Sequence, residues 1–288
     1  MRIFIAGATG VYGRNLIPLL LAHGHQVRAL ARTPERAAAL QAQGVEPVAG
    51  DLLDPATPLA EGIRGCEAVL HIATAIPRNG GAPDAWNNNT ALRTTGTRAL
   101  LDAALAAGAT RYLQQSIVMA YADGGDRLLD ESAPFAQPAS RPTAPPVITM
   151  EQMVRETPAG RLAWCILRGG SFVGPDTAQE SLVDRLRAGR EVATGDGSHY
   201  LSPVHVADMA AATVLAVESA PPGSTYNVND EPVRYGDYVD RLADRLGVSR
   251  PQRDPAKPAP ASCRADSTAI RRALGWTPSH GVYSLVNS

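Results

Sequence analysis

The sequence predicts an α/β fold: a doubly wound parallel sheet with a small C-terminal lobe. Three observations point to it. The chain opens on the apolar run Ile3-Phe4-Ile5-Ala6, then the turn Gly7-Ala8-Thr9-Gly10-Val11-Tyr12-Gly13, then the leucine-rich Leu16-Ile17-Pro18-Leu19-Leu20-Leu21. Strand-like and helix-like stretches alternate after that, which is the rhythm of a parallel sheet covered by helices. With 288 residues and 44% hydrophobic content, the chain can bury one large core and still carry a smaller lobe.

The first turn is the most informative stretch. A strand running into a tight glycine loop that opens a helix suits a pyrophosphate: glycines allow close backbone approach, and the unpaired N–H groups of the helix N-terminus face the negative charge. The spacing is G-x-x-G-x-x-G, and in a chain with 26 glycines that pattern alone arises by chance. Its place between strand and helix makes it a dinucleotide-site candidate.

Gln26 to Ala31 alternates as a second strand, with Arg32-Thr33-Pro34-Glu35 at its carboxyl end. In such folds an acidic residue there holds a ribose 2′-hydroxyl, whereas Arg suits a 2′-phosphate. Arg32 therefore favours NADP(H) over NAD(H); the alternative is one more solvated arginine in a chain whose sole lysine is Lys257. Thr33 and Pro34 read as N-cap and first position of a helix running to Gln43. A third strand, Val45 to Ala49, ends at Gly50-Asp51-Leu52. A fourth, Glu67 to Ala73, ends in small residues that let a cofactor lie against the backbone.

A Gly/Pro/Asn-rich loop, Pro77 to Asn89, precedes a long helix ending near Ala107-Gly108, and a fifth strand, Arg111 to Ile117, places Ser116 near its carboxyl end. Ala122 to Pro146 is rich in Pro, Gly, Asp and Ser and reads as a long surface loop and substrate lid. Helix Thr149 to Glu156, strand Leu162 to Leu167, helix Asp176 to Gly189 and a loop-like Glu191 to Tyr200 follow. The chain then runs through helix Met209 to Val217, strand Thr225 to Val228, helix Tyr235 to Leu246, a proline-rich linker Pro251 to Ser262 and a last helix containing Ile270 to Leu274.

A net charge of −1 gives no electrostatic case for nucleic acid or an anionic membrane as partner. No apolar stretch approaches the roughly 20 residues that span a bilayer. The N-terminus enters a strand directly, so a cytoplasmic protein is expected. Cys66, Cys165 and Cys263 read as free, buried thiols, and the six His show no ligand spacing, so no metal is expected.

Taken in order, the landmarks resemble the extended short-chain dehydrogenase/reductase family, which includes NAD-dependent epimerases and dehydratases. They are the Gly7 to Gly13 turn, Gly50-Asp51-Leu52, His71-Ile72-Ala73-Thr74, Gly96-Thr97 with Leu100 to Ala104, and Ser116 with Tyr121. Leu167-Arg168 to Val173-Gly174-Pro175, Val204 to Asp208, Tyr226-Asn227-Val228 and Leu274 to Pro278 complete the set. The resemblance implies a Rossmann-type domain over 1–172, with returning segments near 203–230, and a smaller substrate-binding lobe from 173–202 and 231–288. It places Gly7, Thr9, Gly10, Val11, Tyr12 and Gly13 along the pyrophosphate, Asp51 and Leu52 beside the adenine, and Ala73 and Thr74 beside the nicotinamide-side ribose. The turn containing Gly170, Phe172 and Val173 would border the nicotinamide. The helices around Gly96 to Ala107 and after Thr149 resemble those through which the family dimerises, which implies a homodimer.

The chain departs from the family at its Tyr-x-x-x-Lys pair, in which Lys lowers the Tyr pKa for proton exchange with substrate. No Tyr lies between Tyr121 and Tyr200, and the single Lys is Lys257, so the pair exists nowhere. The sequence thus resembles an atypical member. Three residues are candidates for the chemistry. Ser116 would hydrogen-bond a substrate carbonyl or hydroxyl, or else simply bond the protein. Tyr121 would supply a phenol, or pack under the loop. Arg93, where the family commonly has Asn, would bind an anionic or carbonyl group, or lie on a solvated helix face. Glu151 is a more distant candidate, and His205 with Asp208 reads as a substrate-lobe motif or a helix-start hydrogen-bond pair. The expected activity is NADP(H)-dependent hydride transfer to or from a small organic carbonyl or hydroxyl compound. The alternatives are a nucleotide-sugar epimerase or dehydratase holding NAD and a non-catalytic NADP-sensing regulator.

Overall fold

The alternating pattern resolves into a seven-stranded sheet and its helices in a computed structural model that describes residues 1–77, 82, 84–141 and 143–284. β1 (Arg2–Ala6) passes through the glycine turn into α1 (Val11–Ala22), β2 (Gln26–Ala31), α2 (Pro34–Gln41), β3 (Glu46–Ala49), α3 (Leu59–Ile63) and β4 (Ala68–His71). Next come α4 (Asn87–Ala91), a π-helical turn (Leu92–Gly96), α5 (Thr97–Ala106), β5 (Arg111–Ile117), β6 (Leu128–Leu129), α6 (Ala144–Glu156) and β7 (Ala163–Gly169). The remainder runs β8 (Ser171–Val173), α7 (Ala178–Arg187), β9 (Val192–Thr194), β10 (Tyr200–Leu201), β11 (Pro203–His205), α8 (Val206–Ser219) and β12 (Ser224–Val228). Last are β13 (Val233–Arg234), α9 (Tyr235–Leu246), β14 (Gln252–Asp254), β15 (Arg264–Ala265) and α10 (Thr268–Leu274).

The sheet order is β12-β7-β5-β4-β1-β2-β3. β1 pairs parallel with both β2 and β4, setting Ile3 opposite Val27 on one side and Ala68 on the other. The strand order reverses between β1 and β4, the switch point at which sheets of this kind take their ligands. This is the doubly wound α/β architecture that the sequence predicts. β1 reads as an unbroken apolar run because Ile3, Phe4, Ile5 and Ala6 are all fully buried, as in a strand covered on both faces.

The chain forms two compact units. The first comprises Met1–Ser116, Pro138–Leu167 and Ala210–Thr225; the second comprises Ile117–Gln137, Arg168–Met209 and Tyr226–Ser288. In the first, Phe4, Leu30, Ile63, Val69, Leu100, Tyr112, Val154 and Ile166 belong to one buried cluster that ties the sheet to α3, α5 and α6. In the second, Val173, Leu182, Leu186, Tyr238, Val239 and Leu242 pack α7 against α9.

Several local expectations are corrected. The single long helix before Ala107 is divided by the π-helical turn. Ala122 to Pro146 is not a free loop: β6 pairs with β15, Leu129 is buried, and α6 begins at Ala144. The loop-like stretch after Glu191 and the proline-rich linker each contribute a strand, β9 and β14, which pair with one another. Strands of two or three residues are too short to show alternation, and their partners lie far away in sequence. Part of the Pro77 to Asn89 stretch, 78–81 and 83, lies outside the described residues.

Candidate functional site

Two of the three glycines in the first turn are demanded by packing. Gly7 has φ of +105°, and a Cβ there would lie 2.5 Å from the Ala73 nitrogen. A Cβ on Gly13 would meet the Ala8 carbonyl oxygen at 2.1 Å. Gly10 is different. Its φ is −75°, and the nearest atom to an added Cβ is the Gly7 carbonyl oxygen at 3.4 Å, so the protein itself barely restricts a side chain there. As N-cap of α1 it provides no side-chain cap, and the first turn of that helix contains no acidic residue. With neither a side-chain cap nor an acidic residue in its first turn, this helix start favours an anion. A cradle that a Cβ would fill suits the phosphates of a dinucleotide.

The other expected cofactor residues of this unit fall into two sets. Arg32 and Asp51 are partly exposed and face each other, with Arg32 Nη1 4.0 Å from Asp51 Oδ2. Thr74 is exposed and Ala73 half-buried at the carboxyl end of β4. By contrast, the Tyr12 ring is buried and its hydroxyl bonds Thr213, while Leu52 is 4% exposed within the core cluster. Both side chains therefore serve packing, which leaves only the backbone of Tyr12 and Leu52 for the expected nucleotide contacts. In the second unit a Cβ on Gly170 would lie 2.3 Å from the Ser202 carbonyl oxygen. Phe172 is half-buried beside it, paired with Val204, while the Val173 side chain belongs to the buried cluster.

Ser116 is fully buried, and its Oγ donates to Glu151 Oε1 at 2.6 Å. The second carboxylate oxygen of Glu151 accepts from Arg155 Nη2 at 3.2 Å, and Arg155 also donates to Thr225 Oγ1. One turn of α6 separates Glu151 from Arg155, so this half of the cluster is an i, i+4 pair visible in the sequence. Its connection to Ser116 is not. Arg93 corrects the solvated-face alternative: it is only 4% exposed, on the π-helical turn, with Nη1 3.7 Å from Met150 Sδ. Burial pushes its guanidinium down to about 10, opposed by the Glu151 charge.

Tyr121 packs instead of presenting a free phenol. In the second unit it is 1% exposed, donates to Asn227 Oδ1 at 2.7 Å and accepts from Arg168 Nη1 at 2.6 Å. Burial pushes its hydroxyl up to about 12, against the pull of Arg168. The Arg168 guanidinium also lies over the Tyr121 and Phe135 rings and reaches the Glu131 carbonyl. Asn227 completes the network by donating to the Leu129 and Asp266 carbonyls. Asp208 likewise bonds a distant partner and not His205: its oxygens accept from Ser279 and His280, with His280 Nδ1 at 2.8 Å. His205 Nδ1 accepts from the Ala207 N–H at the start of α8, and its ring stacks on His280.

The sheet order and the glycine turn define a doubly wound α/β protein whose nucleotide-type loop lies at the switch point. The chain belongs to the NAD dependent epimerase/dehydratase family, whose sequence profile matches residues 3–229. Among its relatives is the 3-diazoavenalumate denitrifying reductase of a Streptomyces species, 36% identical over 97% of both chains. A Stigmatella aurantiaca 4-hydroxy-2-methyl-3-oxo-4-farnesyl-3,4-dihydroquinoline-1-oxide ketoreductase is 31% identical over 86% of this chain and 74% of its own. Similar solved structures include gox2253, with TM-score 0.81 and 24% identity over 96% of this chain and 93% of that one. MoeE5 in complex with UDP-glucuronic acid and NAD has TM-score 0.80 and 22% identity over 98% and 95%.

Proposed function

We propose that the protein is an NADP(H)-dependent reductase acting on a small organic substrate. The observation that carries the reading is Gly10, a glycine that the protein's own packing does not require, at an uncapped helix N-terminus on the switch point of the sheet. The reductase and ketoreductase relatives support an oxidoreductase. Backbone of Gly7, Thr9, Gly10, Val11, Tyr12 and Gly13 holds the pyrophosphate, and Arg32 pairs with a 2′-phosphate. Asp51 and Leu52 border the adenine, Ala73 and Thr74 the second ribose, and Gly170, Phe172 and Val173 the nicotinamide. When bound, that ring supplies the hydride.

Two substrate classes separate on the fate of a proton. A carbonyl that accepts hydride becomes an alkoxide and needs a proton donor. Here the Ser116 proton is directed to Glu151 and the Tyr121 proton to Asn227, and the chain has no Tyr-x-x-x-Lys. A diazonium carbon that accepts hydride forms a C–H bond while dinitrogen leaves with the C–N electron pair, so no oxygen remains to be protonated. The relative named for denitrifying reduction of a diazo compound, matched over 97% of both chains, favours this second reading.

The first test is fluorescence titration with NADPH and, separately, NADH. NADPH is expected to bind at least about tenfold tighter, with the preference abolished in Arg32→Ala, the scale of a lost charge-assisted contact. Binding of neither nucleotide overturns the proposal. The loaded protein is then given 4-acetylbenzoate and 4-carboxybenzenediazonium against an enzyme-free control. Dinitrogen release coupled to NADPH oxidation selects the diazo reading; reduction of the ketone alone selects the carbonyl reading.

A further inference from the structure

Arg93 is a buried cation whose hydrogen-bond acceptor among the described residues is a sulfur, Met150 Sδ. The π-helical turn Leu92–Gly96 widens the helix by one residue per turn there, a local irregularity that re-aims side chains and recurs at functional positions. The same turn is anchored to the end of β4, where His71 Nε2 bonds the Leu92 carbonyl. Burial holds His71 down to about 4, so its ring is neutral near pH 7 and does not compete with Arg93 for an anion. From α6, Met150 offers its thioether sulfur at 3.7 Å, a weak acceptor. The charge of Glu151 acts on Arg93, but its two oxygens already accept from Ser116 and Arg155. Among the described residues, no oxygen atom accepts a hydrogen bond from Arg93 and no carboxylate forms an ion pair with it.

A guanidinium has five N–H donors in a planar fork, and taking it out of water unpaired is costly. A leucine or methionine would fill this position without that cost. We propose that Arg93 is a substrate-recognition residue that receives an oxyanion, a carboxylate, in a bidentate contact beside the carboxyl ends of β4 and β5. The substrate class is thereby narrowed to small organic anions. This inference rests on the reductase reading and adds to it the charge of the substrate. Arg93, and not the residues that hold the dinucleotide, sets that charge preference.

The experiment uses the full chain loaded with NADP⁺, with 4-hydroxybenzoate and its neutral counterpart 4-hydroxybenzamide as probes in ligand-detected NMR titrations. The acid is expected to bind at least tenfold tighter than the amide, and Arg93→Gln is expected to abolish the difference. Equal binding of the two probes, or an undiminished preference in Arg93→Gln, would overturn the inference. If wild-type protein takes up no NADP⁺, the reductase reading itself has failed, which separates the two failures. Arg93→Met supplies a second readout: removing a buried charge with no oxygen partner among the described residues is expected to raise Tm in the ligand-free protein. A structural arginine would give a lower Tm or an unfolded variant, and either result counts against the proposal.

Discussion

An alanine Cβ at Gly7 would sit 2.5 Å from the Ala73 nitrogen on a backbone with φ of +105°, whereas at Gly10 it would meet nothing closer than 3.4 Å. The two glycines of one motif are therefore expected to respond oppositely. Gly7→Ala should destabilise the fold by at least about 2 kcal/mol, through left-handed strain and overpacking. Gly10→Ala should change stability by less than about 0.5 kcal/mol, as at sites without packing constraints, yet weaken NADPH binding. Urea titration paired with nucleotide fluorescence separates them; equal destabilisation would remove the argument that Gly10 is reserved for a ligand. At this scale the sequence reveals which residue types occupy the turn. It does not distinguish the glycine that packing requires from the one left open, because the atom that decides, the Ala73 nitrogen, comes from a strand end far along the chain.

At the scale of elements, the short strands and the buried network of the second unit share one cause. β6 and β15 pair only because residues 128–129 and 264–265 meet in space, and Asn227 on β12 bonds carbonyls beside both. Tyr121 closes this network through Asn227 and Arg168. Tyr121→Phe keeps the ring but leaves Asn227 Oδ1 without its donor inside the fold, an expected loss of about 1–3 kcal/mol. A stability loss measured by thermal denaturation, with NADPH affinity retained, supports the packing role. Unchanged stability with lost turnover would return Tyr121 to the reaction. Longer elements were legible beforehand: β2, β5 and α9 have the bounds the pattern predicts, since alternation or a 3.6-residue period over six or more residues is distinctive. Thr33 caps α2 as read, its side chain accepting from the Arg36 N–H.

For the whole molecule, pH couples to stability through His71. Burial lowers its pKa from 6.5 to about 4, so between those values the unfolded chain takes up a proton that the folded one refuses. Stability therefore falls as pH drops from 6.5 toward 4. The expected loss at pH 4.5 is about 2–3 kcal/mol relative to neutral pH. Urea denaturation of wild type and His71→Gln at pH 7.5 and 4.5 checks it, since the variant should lack this component. Equal pH sensitivity in the two proteins would assign acid lability elsewhere.

The sequence by itself determined the doubly wound fold, the position of the glycine turn and the lack of a Tyr-x-x-x-Lys pair, because each is written in local period, local spacing or residue inventory. It also placed Ser116 and Arg93 among the residues to examine. Only the tertiary structure decided what surrounds these and Tyr121: the Ser116 hydroxyl donates to Glu151, the Tyr121 hydroxyl donates to Asn227, and Arg93 is buried and not solvated. Those outcomes depend on which hydrogen-bond partners arrive from other strands and helices, and on how much water is excluded when they do. Partner identity and burial are properties of packing between distant segments, and no local pattern encodes them.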